Sequence, residues 1–112
     1  MSPNETPSEE LQPISAIDPL VHSPTRLKIL AYLSIVESAD FTFLMHQTGL
    51  TRGNLSVNLR KLEDAGYVNI KKEFVDRTPR TLIRLTGEGR TAIQEYRNNM
   101  QVVLNELLGE KD

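Results

Sequence analysis

The chain has 112 residues, 38% apolar and 25% charged, which is enough for one domain with a modest core and too few for two ordinary ones. It has no cysteine, so disulfides, thiolate metal sites and cysteine nucleophiles are excluded, and no apolar run approaches the roughly 20 residues that span a bilayer. The formal net charge is −2, yet residues 51–84 hold eight basic residues against four acidic ones, while the rest holds five against eleven; a local field counts for more in polyanion binding than the total.

Residues 1–17, "MSPNETPSEELQPISAI", are polar, acidic and proline-bearing, without the basic-then-apolar order of a secretory signal. A disordered acidic tail is expected there, and cytoplasm is the default location. Asp18-Pro19 reads as an N-cap with proline at the first helical position, opening a short turn of helix. Ser23-Pro24 repeats the signal and opens a helix to about Val36. Its stripe is Leu27, Leu30, Ala31 and Ile35, widened by Ile29 and Leu33. Asp40 can cap a shorter helix over about 41–48, with Phe41, Leu44 and Met45 facing in and Gly49 ending it. Leu50 reads as a core plug and Thr51 as the N-cap of a third helix, where Leu55, Leu59 and Leu62 fall on one stripe.

After Gly66 the period changes. "YVNIKKEFV" places Val68, Ile70 and Phe74 on one side, broken by Lys72, and "RTLIRL" places Thr81, Ile83 and Leu85 on one face. The intervening "VDRTPR" has turn composition, which predicts an antiparallel hairpin with its tip near Asp76–Pro79, carrying Arg77 and Arg80. Thr86 caps a last helix to about Leu108, roughly 30 Å long. Its apolar side is Ile93, Tyr96, Met100, Val103, Leu104, Leu107 and Leu108, more than a small domain needs.

Helix, short helix, tight turn, helix, hairpin is the order of a winged helix-turn-helix. The fold expected is mainly α with a small β-hairpin and a long C-terminal helix: tail 1–17, DNA-binding unit 18–86, dimerisation helix 87–112. On the third helix Gly53, Val57, Arg60 and Asp64 point away from the leucine stripe, flanked by Asn54, Lys61 and Ser56. The second helix of such a pair enters the major groove with its N-terminal part. Asn54, Ser56 and Asn58 offer short hydrogen-bonding groups, Val57 a contact for a thymine methyl, and Arg60 and Lys61 reach to phosphates or a guanine edge. Arg52 and the helix N-terminus suit a phosphate oxygen. On the hairpin Lys72, Arg77 and Arg80 are the candidates for the adjacent backbone or minor groove, alongside Lys71 and Arg84.

"LTRGNLSVNLRKLEDAGYV" with "FVDRTPRTLIRLTGEGR" resembles the winged-helix transcriptional regulators of the MarR and ArsR superfamily type, and more closely a compact subfamily of winged-helix DNA-binding domains. The resemblance covers about Asp18 to Tyr96, strongest in "DPLVHSPTRLKIL", "NLSVNLRKLEDAGYV" and "LTGEGR". It implies that Ser56 is the small polar residue that touches DNA and that Arg77 and Arg80 form a basic wing tip. It also implies dimerisation through terminal helices, for which Ile93, Tyr96, Met100, Val103, Leu104 and Leu107 have near coiled-coil spacing. A homodimer on a palindromic duplex would place its heads about 34 Å apart.

His22 and His46 have no partner at ligand spacing, and the cysteine or histidine clusters of metal-sensing relatives are absent. "GEGR" lacks the Lys-Ser/Thr pair of a phosphate loop, so no catalytic residue, metal or cofactor is expected. A small-molecule effector, unidentified, could occupy an apolar pocket lined by Tyr32, Tyr96 or Met100, residues whose commoner role is core packing. Two readings stay open: a dimeric DNA-binding regulator, and a winged-helix protein-interaction module that never reads DNA.

Overall fold

The computed structural model describes residues 12–109. The acidic stretch 1–11 and the last three residues lie outside them, and with them most of the expected tail. Its end departs from expectation, because Gln12–Ser15 form one turn of helix, α1, against the C-terminal helix. Pro13 sits in its first turn, where a missing N–H costs nothing, and Ile17 after it is half-buried. Asp18 then caps a single turn, its Oδ1 accepting from Leu20 N at 2.9 Å.

Helix α2 (Pro24–Ile35) begins as its sequence dictates, with Ser23 accepting from Arg26 N and Pro24 at the first position. Its buried residues are Ile29, Leu30 and Leu33, and not the whole stripe expected: Ala31 is exposed and Ile35, the last helical residue, is 79% exposed. The arc is displaced because α2 packs on α3 and on strand β3, which meet it on the Ile29–Leu33 side. Strand β1 (Ala39–Asp40) leads into α3 (Phe41–Thr48), whose first amides, Thr42 N and Phe43 N, donate to Asp40 Oδ1. Gly49, at φ 71°, ends α3 in the left-handed region that glycine enters without strain. Helix α4 (Arg52–Asp64) is capped by Thr51, and Leu55, Leu59 and Leu62 are 0%, 2% and 0% exposed.

Strands β2 (Val68–Val75) and β3 (Thr78–Leu85) pair in full register, Val68 with Leu85 through Val75 with Thr78, and β1 joins on the far side through Ala39 and Ile83. The turn is tighter than composition suggested. Only Asp76 and Arg77 lie between the strands, at φ 51° and 66°, the two-residue geometry whose twist suits a hairpin. Pro79 is a strand residue opposite Phe74, on a ladder that needs no N–H from it at this position near the end.

Helix α5 (Gly87–Leu108) is bolted on at its first turn. Thr86 Oγ1 accepts from Gly89 N at 2.9 Å and donates to Gly66 O at 2.6 Å, and Thr86 N donates to Tyr67 O at 3.0 Å. Gly89 is buried against the same peptide: a Cβ there would meet Tyr67 O at 2.2 Å. Tyr67 OH donates to Asp18 Oδ2, tying the chain's entry to the wing's root. That hydrogen bond first, then burial and the charges of Asp18, Glu95 and Glu88, pushes the Tyr67 phenol up to about 12. Ile93 and Tyr96 continue the attachment, packed against the core, while Leu104, Leu107 and Leu108 are 47%, 76% and 70% exposed.

Candidate nucleic-acid interface

Burial of the leucine stripe turns the opposite face of α4 outward. Asn54, Ser56, Val57, Arg60, Lys61 and Asp64 are all exposed, and Val57 at 55% is an apolar side chain with no core to enter. Ser56, Val57, Arg60, Lys61 and Asp64 ring one shallow depression on that face. A groove of about 590 Å³ runs between α4, the start of α3 and the hairpin, and brings Arg52, Ser56, Arg60, Lys72 and Arg80 to one wall system. Asp40 and Glu63 are its acidic members, so four basic groups face two acidic ones. Arg52 is held there over the Phe41 ring, 5.4 Å from its centroid, a cation–π contact that orients the guanidinium and leaves its charge.

Two expectations are corrected. Asn58 is not a reading residue: it is 7% exposed, accepts from Arg26 Nη1 at 2.9 Å, and donates to Asn54 O and Asn54 Oδ1 at 2.8 and 2.7 Å. It lies only about 60° from Leu55 around the helix, so α2 covers it. Arg80 is not at the wing tip, because the turn closes before it. It stands opposite Glu73 with its Nε 3.6 Å from Asp40 Oδ2. Both partners are partly exposed, so this pair orients Arg80 more than it stabilises the fold. Lys71 and Arg84 line a separate recess with Ser38, Asn69, Glu73 and Leu82, and Lys71 lies 3.7 Å from Glu73, so they do not join Lys72 in the main groove.

Arg77 does occupy the tip, and its backbone makes the position notable. A side chain other than glycine at φ 66° costs about 1 kcal/mol, which an arginine with no core role does not recover by packing. Arg26 is the residue that sequence reading missed. Its Nε donates to Leu20 O at 2.5 Å and its Nη1 reaches Asn58 on α4. Its position near the start of α2, in a first turn read only for capping, concealed a contact 32 residues away.

A second recess, about 420 Å³ and mostly apolar, lies between α2 and α5, lined by Leu27, Ala31, Ile93, Tyr96, Met100 and Leu104 among others. Tyr96 also holds His22, OH to Nδ1 at 2.8 Å. Tyr32 is elsewhere, donating to Gln47 Oε1 at 2.5 Å. Among the described residues no group of three or more His, Asp or Glu is placed to hold a metal, and no helix is long and apolar enough to cross a membrane.

Known proteins share this sequence pattern and fold. The family model described as winged helix DNA-binding domain matches residues 25–104. A protein of Methanocaldococcus jannaschii is 39% identical over 77 residues, 69% of this chain and 84% of its own length. The solved structure of a transcriptional regulator homologue from Pyrococcus horikoshii OT3 is 31% identical with a TM-score of 0.79, over 88% of this chain and 97% of that one. The transcriptional repressor CouR, solved bound to a 23-mer DNA duplex, shares the fold at 23% identity and a TM-score of 0.66, over 89% of this chain and 70% of its own. With a match across most of its length, this chain belongs to the winged helix DNA-binding domain family, a DNA-binding transcriptional regulator and not an enzyme.

Proposed function

We propose that this protein binds double-stranded DNA sequence-specifically as a homodimer, with α4 in the major groove and the wing against the adjacent backbone or minor groove. The observation that carries the reading is the outward face of α4: Val57 exposed among Asn54, Ser56, Arg60 and Lys61, beside a groove that adds Arg52, Lys72 and Arg80. A face of short polar groups, one apolar side chain and flanking cations fits base edges and phosphates together. That CouR, which shares the fold, was solved bound to a DNA duplex supports duplex DNA as the partner, and the Arg77 conformation supports a wing-tip contact.

The dimer rests on the far half of α5. Ile93 and Tyr96 are engaged with their own core, so the interface narrows to Met100, Val103, Leu104 and Leu107, with Leu108 beside them. The unit 18–86 then reads and 87–112 joins. The apolar recess between α2 and α5 is continuous with that interface through Met100 and Leu104, which makes it the place for a small apolar effector.

Selection from a randomised duplex pool in about 150 mM salt tests the reading. One enriched, near-palindromic motif is expected, with half-sites about one helical turn apart. Exchanging Arg60 and Lys61 for alanine should lower affinity at least 10-fold and flatten its salt dependence in a folded protein. No enrichment from folded protein would replace this reading with a protein-interaction module. Sedimentation of a Leu104→Glu, Leu107→Glu protein should show dimer dissociation at least 10-fold easier, and an unchanged monomer–dimer balance would overturn the interface.

A further inference from the structure

We propose that Arg26 and Asn58 are positioning residues that set the hydrogen-bond polarity of the recognition helix, turning Asn54 into a donor-only reader of acceptor edges on DNA, guanine above all. The inference rests on the functional reading above and adds which group Asn54 presents and what imposes it.

The chain of constraint begins at a group with no choice. A guanidinium donates and never accepts. Arg26 is held at one end by Leu20 O, and its Nη1 lies 2.9 Å from the side-chain oxygen of Asn58. That oxygen must accept, so the Asn58 Nδ2 must point the other way. There it meets two acceptors of Asn54, the backbone oxygen at 2.8 Å and Oδ1 at 2.7 Å, one for each of its protons. Turning the Asn58 amide over would set N–H against guanidinium and oxygen against carbonyl, two repulsions in a residue 7% exposed. The orientation of an asparagine amide, ambiguous when seen alone, is determined here by its neighbours.

Asn54 inherits the result. Its Oδ1 is turned inward to Asn58, so its Nδ2 is the outward group of an exposed side chain, in the first turn of α4. An adenine edge offers an acceptor at N7 beside a donor at N6, and cytosine offers a donor at N4. Thymine offers a single acceptor, O4, beside its methyl group, whereas guanine offers two adjacent acceptors, N7 and O6, and so gives an outward NH2 the most partners. Arg52 and Arg60, exposed on the same helix, are donors as well, while the Ser56 hydroxyl can donate or accept. A phosphate oxygen is the competing acceptor, and the experiment separates it from a base.

The test is the same duplex selection run on the full chain and on Asn54→Ala, Asn58→Asp and Arg26→Met variants, each checked for folding by circular dichroism. The wild type should enrich guanine about 5-fold or more at one half-site position, a preference that Asn54→Ala abolishes there and nowhere else. Asn58→Asp keeps the acceptor for Arg26 but faces Asn54 with oxygen. The Asn54 amide should then turn over and move the preference at that one position from guanine to cytosine. Arg26→Met should weaken the guanine preference without replacing it. Uniform weakening by Asn54→Ala across all sequences would place Asn54 on phosphate and overturn the proposal. A guanine preference that survives Asn58→Asp would overturn the relay. A wild type that enriches nothing would sink the functional reading and this inference with it, a result distinct from both. Should the Asn58→Asp protein not fold, solvent exchange of the side-chain amides by NMR on the DNA-free wild type decides the relay: Asn58 Nδ2 protons at least 10-fold slower than those of Asn54 are expected, and equal rates would overturn it.

Discussion

Leucines repeat at helical spacing on both α4 and the far half of α5, and the two stripes have opposite fates. On α4, Leu55, Leu59 and Leu62 are sealed by α2, α3 and the sheet. On α5, Leu104, Leu107 and Leu108 are largely exposed, beyond the reach of the described chain. The difference teaches that an apolar stripe states a demand for burial and does not say who meets it. On α4 the demand is met within the chain, and the reading face is what remains outside. On α5 it is unmet within the chain, and a second copy is the proposed answer.

The comparison can be broken most forcefully by truncating one leucine from each stripe. Leu59→Ala should cost about 3 kcal/mol in denaturant unfolding, since it leaves a cavity in a closed core. Leu107→Ala should cost under about 0.5 kcal/mol in dilute monomer. Similar losses at both sites would mean that α5 is covered within the chain. The join between the regions comes next. Gly89→Ala drives a methyl into Tyr67 O, and a loss of about 2 kcal/mol is expected from a displaced first turn of α5, measured by thermal melting.

Smaller effects sharpen the comparison at the edges of the core. Tyr67→Phe removes the hydrogen bond to Asp18 and should cost about 1 kcal/mol at pH 7. Because the folded phenol titrates at about 12, above its ordinary 10, its contribution is complete below pH 10 and lost as pH rises toward 12. The Phe variant should lack that alkaline decline in a melting series across those pH values. The smallest change expected is at the wing tip, where Arg77→Gly relieves a left-handed arginine and should raise stability by about 0.5 kcal/mol. The same variant should bind duplex DNA several-fold more weakly, so that stability and affinity move in opposite directions.

Much of the architecture was legible because it is written locally. Ser23, Asp40, Thr51 and Thr86 each cap the helix their side chain announces, since a cap needs only a hydroxyl or carboxylate within three residues of a bare amide. The alternation of Ile83 and Leu85 and the three leucines of α4 likewise need only neighbours along one element. Strand β1 was not legible, because two residues carry no period and its pairing is decided by β3, more than forty positions away. The candidate site divided in the same manner. Its exposed face was readable from helical angles, whereas Asn58 and Arg80 looked like surface groups until α2 and Asp40 were brought to them.

The sequence by itself determined the order of helices α2 to α5 and of the hairpin, the helix caps and the local excess of basic charge. These depend on backbone preferences and periodicity, which act over a few residues. Only the tertiary structure decided that Asn58 is internal and held by Arg26, that Arg80 leans on Asp40, and that α5 is anchored at one end and bare at the other. Each of those outcomes depends on groups distant along the chain meeting at about 3 to 4 Å, where hydrogen bonding and exclusion of water act.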